Sequence, residues 1–373
     1  MIYKQFKDKK LSALGLGTMR FPTKEDSEID MEKSAEIVDY AIKNGINYFD
    51  TAYGYHAGKS EIAIGKLLSK YPRDSFYLAT KFPSYDVKFF GRAEEIFEEQ
   101  LKKCNVDYFD FYLFHNVSEA NIEHYLKEPF DTKNYFCEQK KNGRIKHLGA
   151  SFHGNLDTMR RFLEKYSDCL EFGMIQLNYL DWTFQNAKAK VELFNEFGIP
   201  TWVMEPVRGG RLATLSEEMT ESLRQMRPDE TVPSWAFRFI QSIPEVVVTL
   251  SGMSNLEQIK ENVETFEQNK PLSQTEMTSL LDLVEQMLEK NTVPCTFCRY
   301  CVEYCPKGLE IPRLLRLYNE HSFSGGGFLA PMQIKAMPEE KRPHACIGCR
   351  SCEKVCPQQI EISQVFKEFV SKL

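Results

Sequence analysis

FDTAYGYHAGKSE, Phe49 to Glu61, joins an apolar approach (Ile46, Tyr48, Phe49) to a helical pattern that begins near Lys59 and continues through Ile62, Ile64, Leu67 and Leu68. The approach has the length of a short buried strand, and Asp50 falls at its end. Thr51, Ala52, Gly54 and Gly58 make the turn, with Tyr55 inside it. The stretch is therefore one βα unit with a carboxylate at the strand tip and a phenol on the adjoining loop. In a βα barrel, that end of the strand is the mouth where chemistry is done. Taken singly, a capping Asp and a surface Tyr would read the same way, so the neighbouring units decide.

Upstream, Tyr3–Phe6 and Leu11–Leu14 flank a polar turn and read as a small hairpin. A helix is expected from about Met31 to Asn44, with Ala35, Val38 and Ile42 on one face and Gly45 as its stop. Downstream, strands are expected at Phe76–Lys81, Tyr108–His115, Lys146–Ser151, Gly173–Asn178, Pro200–Glu205 and Val246–Ser251. Helices fit between them at Glu61–Ser69, Ala93–Cys104, Asn134–Asn142, Asn155–Tyr166, Ala187–Phe197 and Pro233–Ser242, with a last one at Leu256–Thr265. With Ser12–Leu16 as the first strand and Ile46–Asp50 as the second, this makes eight βα units. The fold class is α/β, a (β/α)8 TIM barrel. A doubly wound open sheet is the runner-up. Gly15 and Gly17 lack the third glycine and the helix of a dinucleotide fingerprint, which argues against it.

The 373 residues divide into an expected barrel at 1–266, a linker with one amphipathic helix (Ser273–Lys290) at 267–293, and a cysteine-rich domain at 294–373. Within that last domain, Ser324–Phe328 (SGGGF) reads as flexible. A net charge of −6 with no basic stripe argues against nucleic acid. No apolar run is long enough for a membrane span, and MIYKQFKDKK is not a signal peptide. A cytoplasmic protein is expected.

Eleven cysteines are present. Cys295, Cys298, Cys301 and Cys305, followed by Pro306, form C-x2-C-x2-C-x3-C-P. Cys346, Cys349, Cys352 and Cys356, followed by Pro357, repeat it. This is the ligand run of two-cluster bacterial ferredoxins, in which the fourth cysteine of each run reaches the other cluster. The expected sets are Cys295, Cys298, Cys301 and Cys356 for one [4Fe–4S] cluster, and Cys346, Cys349, Cys352 and Cys305 for the other. Zinc is the competing reading, but zinc sites usually pair short cysteine doublets with each other or with histidine. Oxygen-sensitive clusters suggest an anaerobe. Cys104, Cys137 and Cys169 read as isolated, buried small hydrophobes.

At the strand tips, Asp50, Lys81 and His115 would share one mouth with Tyr55. Such a set suits carbonyl reduction. Lys81 would acidify the Tyr55 phenol, Asp50 would hold Lys81 charged, and His115 would hydrogen-bond the substrate carbonyl.

At this point the chain resembles the aldo/keto reductase family. The matching pieces run in order: Gly15-Leu-Gly-Thr-Met19, Asp50-Thr-Ala-Tyr-Gly-Tyr55, Ala79-Thr-Lys81, Tyr112-Leu-Phe-His115, Gly149-Ala-Ser151, Gln176-Leu-Asn-Tyr179, Glu205 to Leu212 and Gly252 to Asn262. The resemblance implies that Asp50, Tyr55, Lys81 and His115 are catalytic. It implies NADP or NAD as cofactor, with Ser151 and Gln176 at the nicotinamide. Glu205, Val207, Gly209 and Gly210, together with Gly252, Ser254, Gln258 and Asn262, match the pyrophosphate and adenosine contacts. Gly17, Thr18, Met19 and Asp50 are further cofactor contacts on the same basis. The whole resembles the subgroup with a C-terminal ferredoxin-like dicluster domain. Three positions depart from the pattern. Phe152 stands where an Asn is usual, Met204-Glu205 replaces the aromatic that stacks on the nicotinamide, and Gly252–Gln258 lacks the cations that grip a 2′-phosphate.

The function implied is reduction of an aldehyde or ketone, or oxidation of the alcohol, coupled to or stabilised by the clusters. A redox partner such as ferredoxin or flavodoxin is a further expectation. The alternative is an iron–sulfur electron-transfer protein whose barrel binds a flavin or serves as a docking scaffold.

Overall fold

The computed structural model describes residues 1–127, 129–295 and 298–373. Among them the chain separates into two compact units, Met1–Thr278 and Ser279–Leu373, the division falling within the helix Gln274–Asn291.

The first unit opens with an antiparallel hairpin, β1 (Tyr3–Phe6) and β2 (Lys9–Ser12). Eight parallel strands follow: β3 (Leu14–Gly17), β4 (Tyr48–Asp50), β5 (Tyr77–Phe82), β6 (Phe109–Val117), β7 (Ile145–Phe152), β8 (Phe172–Gln176), β9 (Thr201–Met204) and β10 (Val246–Ser251). They close in chain order, β10 pairing with both β3 and β9. Most strand residues are buried, as expected for strands covered on both faces.

The barrel interior is largely aromatic, with Tyr48, Phe111, Phe172 and Trp202 in one cluster that also takes Phe6 and Leu11 from the hairpin. The Phe6 ring lies 5.0 Å from both Trp202 and His147 and 5.8 Å from Phe111. All three partners sit near the starts of their strands, so the hairpin plugs the N-terminal end and leaves the other mouth for function. Gly173 lets Phe194 press against β8. A Cβ there would meet that ring at 2.1 Å.

The expected helices lie within two residues of their predicted bounds, several with side-chain caps: Asp30 accepts from Lys33 N, Asn155 from Thr158 N and Asn255 from Gln258 N. Three details differ. The first helix, Met31–Lys43, buries Ser34, Ile37, Val38 and Ala41, a face turned by about one residue from the expected one. Strand β6 continues two residues past His115. The helices Ile122–Lys127, Asp181–Phe184 and Glu217–Met226 were not expected. They are short or mostly polar, and Glu217–Met226 buries only Met219 and Leu223.

The second unit packs Ile311–Ser324 and Ile362–Lys372 around Leu309, Leu314, Ile360, Phe366 and Phe369, with Cys301 and Cys352 in the same core. The sequence repeat is also a backbone repeat. Arg299 and Arg350, each following the second cysteine of its run, are left-handed at φ 65 and 59. Gly308 and Gln359, three residues past each fourth cysteine, are left-handed at φ 57 and 53. Ser324–Phe328 ends a helix, with Gly325 as its left-handed cap. Among the described residues no helix is long and apolar enough to cross a membrane.

Candidate functional site

Asp50 ends β4, Lys81 is the penultimate residue of β5, His115 lies in β6, and Tyr55 opens the short turn Tyr55–Gly58. Lys81 Nζ donates to Asp50 Oδ1 at 2.6 Å, to the Thr51 carbonyl at 2.7 Å and to Tyr55 Oη at 3.4 Å. The Tyr55 and His115 rings meet edge to face at 5.9 Å. The four predicted side chains therefore converge. After Tyr55 the chain is turned by two consecutive left-handed residues, His56 and Ala57. Such conformations persist where surrounding contacts over-determine them. Here His56 Nε2 is 3.1 Å from the Thr18 carbonyl, and Ser60 Oγ bridges Thr18 Oγ1 at 2.6 Å and Thr51 Oγ1 at 2.9 Å.

A second set of buried groups holds Lys81 from behind. Glu61 is fully buried, and its Oε1 accepts from Thr80 Oγ1 at 2.6 Å and from Gln100 Nε2 at 2.7 Å. Gln100 Nε2 also reaches the Lys81 carbonyl at 3.0 Å, while Tyr112 Oη donates to Gln100 Oε1 at 2.6 Å. Sequence reading missed Glu61 and Gln100. The available signal was a glutamate in register with Ile64 and Leu68 on the apolar face of its helix.

Burial dominates the electrostatics. It pushes the Asp50 carboxyl up, with Lys81 opposing. Burial would also push the Lys81 ammonium down, but the Asp50 charge outweighs it, so Lys81 remains a cation. The Tyr55 phenol is raised by burial, and Lys81 only offsets part of that. The expected net acidification is thus reversed, and the phenol is protonated across the neutral range. Burial, then the nearby Lys81, hold His115 well below the usual histidine value, so it is a neutral imidazole. A second histidine, His153, is likewise pushed down by burial, to about 4.

The predicted cofactor residues divide. Glu205, Val207, Gly209, Gly210, Gly252, Ser254, Gln258 and Asn262 all line one open cavity of about 810 Å3, together with Arg20 and Glu261, which the sequence reading omitted. Gly17, Thr18, Met19, Asp50, Ser151 and Gln176 lie outside its lining. Ser151 Oγ accepts from Asn116 N at 2.9 Å, and Gln176 Nε2 donates to Asp181 Oδ2 at 2.8 Å. Asp181, fully buried, also receives Asn178 Nδ2 at 2.7 Å and Arg208 Nε at 3.1 Å. Asn178 Nδ2 reaches the Glu205 carbonyl at 2.9 Å. This network fixes a loop in which Glu205, Arg208, Gly209 and Gly210 all have positive φ. Glu205, whose carboxyl is held above the usual range by burial with Arg20 opposing, lines the cavity where an aromatic was expected.

In the second unit, Cys295, Cys298, Cys301 and Cys356 line a cavity of about 310 Å3. Cys305, Cys346, Cys349 and Cys352 line another of about 340 Å3. The fourth cysteine of each run crosses to the other set, as the spacing predicts. Among the described residues no three potential ligands converge as a single metal ion would require. Thiols ringing a void instead suit a polynuclear cluster better than one zinc.

Residues 13–285 match the aldo/keto reductase family, and residues 294–362 match the 4Fe-4S dicluster domain. A "Probable aldo-keto reductase 1" of Glycine max is 28% identical over 209 residues, 54% of this chain and 57% of that protein. An "NADH-specific methylglyoxal reductase" of Escherichia coli K12 is 26% identical over 324 residues, 74% of this chain and 96% of that protein. The solved holo form of aldo-keto reductase AKR11C1 from Bacillus halodurans superposes with a TM-score of 0.63 at 26% identity, covering 76% of this chain and 96% of that one. The chain belongs to the aldo/keto reductase family and carries a C-terminal 4Fe-4S dicluster domain.

His115 generates a pH dependence. The unfolded chain's histidine takes up a proton as pH falls through about 6.5, whereas the folded one refuses it until well below. Its contribution to stability is therefore complete above that value and is lost as pH falls further. Urea melts between pH 7.5 and 5.5 should show stability decreasing with acidity, and His115→Phe should flatten the slope. An equal slope in the variant would contradict a neutral, buried His115.

Proposed function

We propose that this aldo/keto reductase reduces an aldehyde or ketone, or oxidises the corresponding alcohol, with Tyr55 as the proton donor, and that its second unit holds two [4Fe–4S] clusters. The observation that carries the reading is the three-way contact of Lys81 with Asp50, the Thr51 carbonyl and Tyr55. Tyr55 keeps its proton in the free site, and the fixed ammonium stabilises the tyrosinate that forms once the proton has moved to the carbonyl oxygen. Asp50 keeps that cation in place. His115, neutral, can donate one N–H to the substrate oxygen and orient it. When bound, a reduced nicotinamide supplies the hydride. Glu205, Val207, Gly209, Gly210, Gly252, Ser254, Gln258 and Asn262 would hold it, with Arg20 as an added contact.

NAD is the favoured form. The cavity lining offers one cation, Arg20, against the carboxyls of Glu205 and Glu261, a poor setting for an extra phosphate. The relative named for NADH specificity agrees with this, whereas a structural neighbour from Klebsiella pneumoniae, 18% identical, is described in complex with NADP and acetate. Cys298 and Cys349 are exposed. Their exposure supports one-electron exchange between the clusters and a small carrier such as ferredoxin or flavodoxin, over a purely scaffolding role.

Turnover with a small aldehyde should fall roughly 100- to 10,000-fold in Tyr55→Phe while nucleotide affinity, read by fluorescence quenching, stays constant. Unchanged turnover would remove the proposed acid. In the wild type, kcat/KM for NADH should exceed that for NADPH, and Glu261→Lys should narrow the gap; a preference for NADPH would refute the cavity argument. Under argon, Cys356→Ala and Cys295→Ala should alter one and the same EPR centre, and Cys305→Ala and Cys346→Ala the other. Each pair should cost about four of eight irons. Pairing by sequence order instead would overturn the exchange of ligands. Reduced flavodoxin should bleach the visible cluster absorbance, and no bleaching would leave only scaffolding.

A further inference from the structure

Each cavity of the second unit has one exposed cysteine in its lining, Cys298 in the first and Cys349 in the second. Their surroundings differ. Among the described residues, Arg299 is the one charged group lining the first cavity, and Glu310 takes its Nη2 at 3.0 and 2.9 Å. The second cavity is lined by Lys307 and Arg350, and by no carboxylate among the described residues. Lys307 is exposed, and the Arg350 side chain is 72% exposed. The Arg350 Nε stands 3.8 Å from Glu353, beyond hydrogen-bond length. Glu353 turns its other oxygen to Ser363, whose backbone N–H donates to it at 2.8 Å.

A third cation joins this rim. Lys341 Nζ donates to the carbonyls of Lys307 and Gly308, each at 3.0 Å. Both acceptors are neutral, so these contacts fix the ammonium without cancelling its charge. Glu339 and Glu340 precede Lys341 in the same short helical turn, but neither lines the cavity. Two large apolar side chains in the same lining are left in water, Tyr304 at 55% and Ile347 at 61% exposure. Exposed apolar groups within a charged rim mark a recognition surface. The wider charge balance selects the partner's sign. Residues 294–373 carry eleven Lys and Arg against eight Asp and Glu, a net +3 in a chain of −6. An acidic protein is therefore drawn to this domain and repelled by the rest of the chain.

We propose that the rim of the second cavity, with Lys307, Lys341 and Arg350 as its cations and Tyr304 and Ile347 as its apolar contacts, is the docking surface for an acidic one-electron carrier protein. The inference rests on the reading that both cavities hold [4Fe–4S] clusters open to exchange, and it assigns the exchange to the one ringed by Cys305, Cys346, Cys349 and Cys352. Cys349 brings the edge of that cavity to the surface at the centre of the argument: a carrier seated on the rim lies against one of the cluster's own ligands. The step is the passage of one electron. The carrier's cofactor is oxidised by one unit and the iron of the cluster is reduced by one, with no bond formed or broken and no proton moved.

The test mixes full-length, cluster-loaded protein with reduced flavodoxin under argon in a stopped-flow spectrometer. Loss of visible cluster absorbance is followed at ionic strengths from about 20 to about 300 mM. The second-order rate should fall roughly 10-fold or more as salt rises. Lys307→Glu with Arg350→Glu should lower the low-salt rate about 10-fold and flatten the salt dependence, with Lys307→Glu alone giving a smaller loss of the same kind. Arg299→Glu should leave both within about twofold, since Glu310 already neutralises that side chain. Reduced methyl viologen, a small cation, should bleach wild type and double variant at equal rates. Bleaching by flavodoxin that ignores salt, or that is as fast in the double variant, would overturn the docking surface and leave carrier exchange standing. A double variant slowed equally with methyl viologen would also overturn it, by assigning these cations to the cluster's own seat. Failure of flavodoxin at every salt concentration, with methyl viologen succeeding, would overturn both the docking surface and exchange with a protein carrier.

Discussion

A buried ion pair governs the mouth of the barrel. Lys81 and Asp50 are both almost wholly shielded from water, and a pair so placed stabilises the fold only if the remaining donors are also satisfied. Lys81 meets that condition by adding the Thr51 carbonyl and the Tyr55 oxygen to its contacts. Asp50 meets it only in part, since its Oδ2 has no protein partner among the described residues. The geometry is over-determined on the lysine side and left open beside Asp50. The same pair dictates the surrounding architecture. The Thr51 carbonyl must be held, so Ser60 bridges Thr51 and Thr18; the β5 backbone must be held, so Gln100 and Glu61 brace it.

The second unit relies on a different constraint. Each cavity draws three cysteines from one run and the fourth from the other, so neither cradle can be completed by a local segment. Both runs must reach the same left-handed bends, at Arg299 and Arg350 and again at Gly308 and Gln359, before the fourth thiol can cross over. Leu309, Ile311, Ile360 and Ile362 then bury the segments between the cradles and their helices.

Much of this was legible in the residues. The alternation of strand and helix was readable because each barrel strand is apolar on both faces and each helix carries a buried stripe. Glu217–Met226 was not, since only two of its ten residues, Met219 and Leu223, are buried. The convergence of Asp50, Tyr55, Lys81 and His115, the four residues proposed as catalytic, was readable because each stands at a strand tip or its loop. Arg20 and Glu261 were not, because nothing in a sequence shows which turn or which helix face borders a cavity.

What the sequence by itself determined is therefore the local and the repetitive: eight βα units, two identical cysteine runs, and the kinds of group available at the mouth. These follow from periodicity and spacing, which short-range sterics and burial convert directly into structure. What only the tertiary structure decided is proximity and solvation. Whether Lys81 acidifies Tyr55 depends on how much water both have lost, and burial reverses the answer that proximity alone suggests. Charge states and contacts of this kind belong to the packed chain, because Coulomb energies depend on local dielectric and distance, and neither exists until the chain has folded.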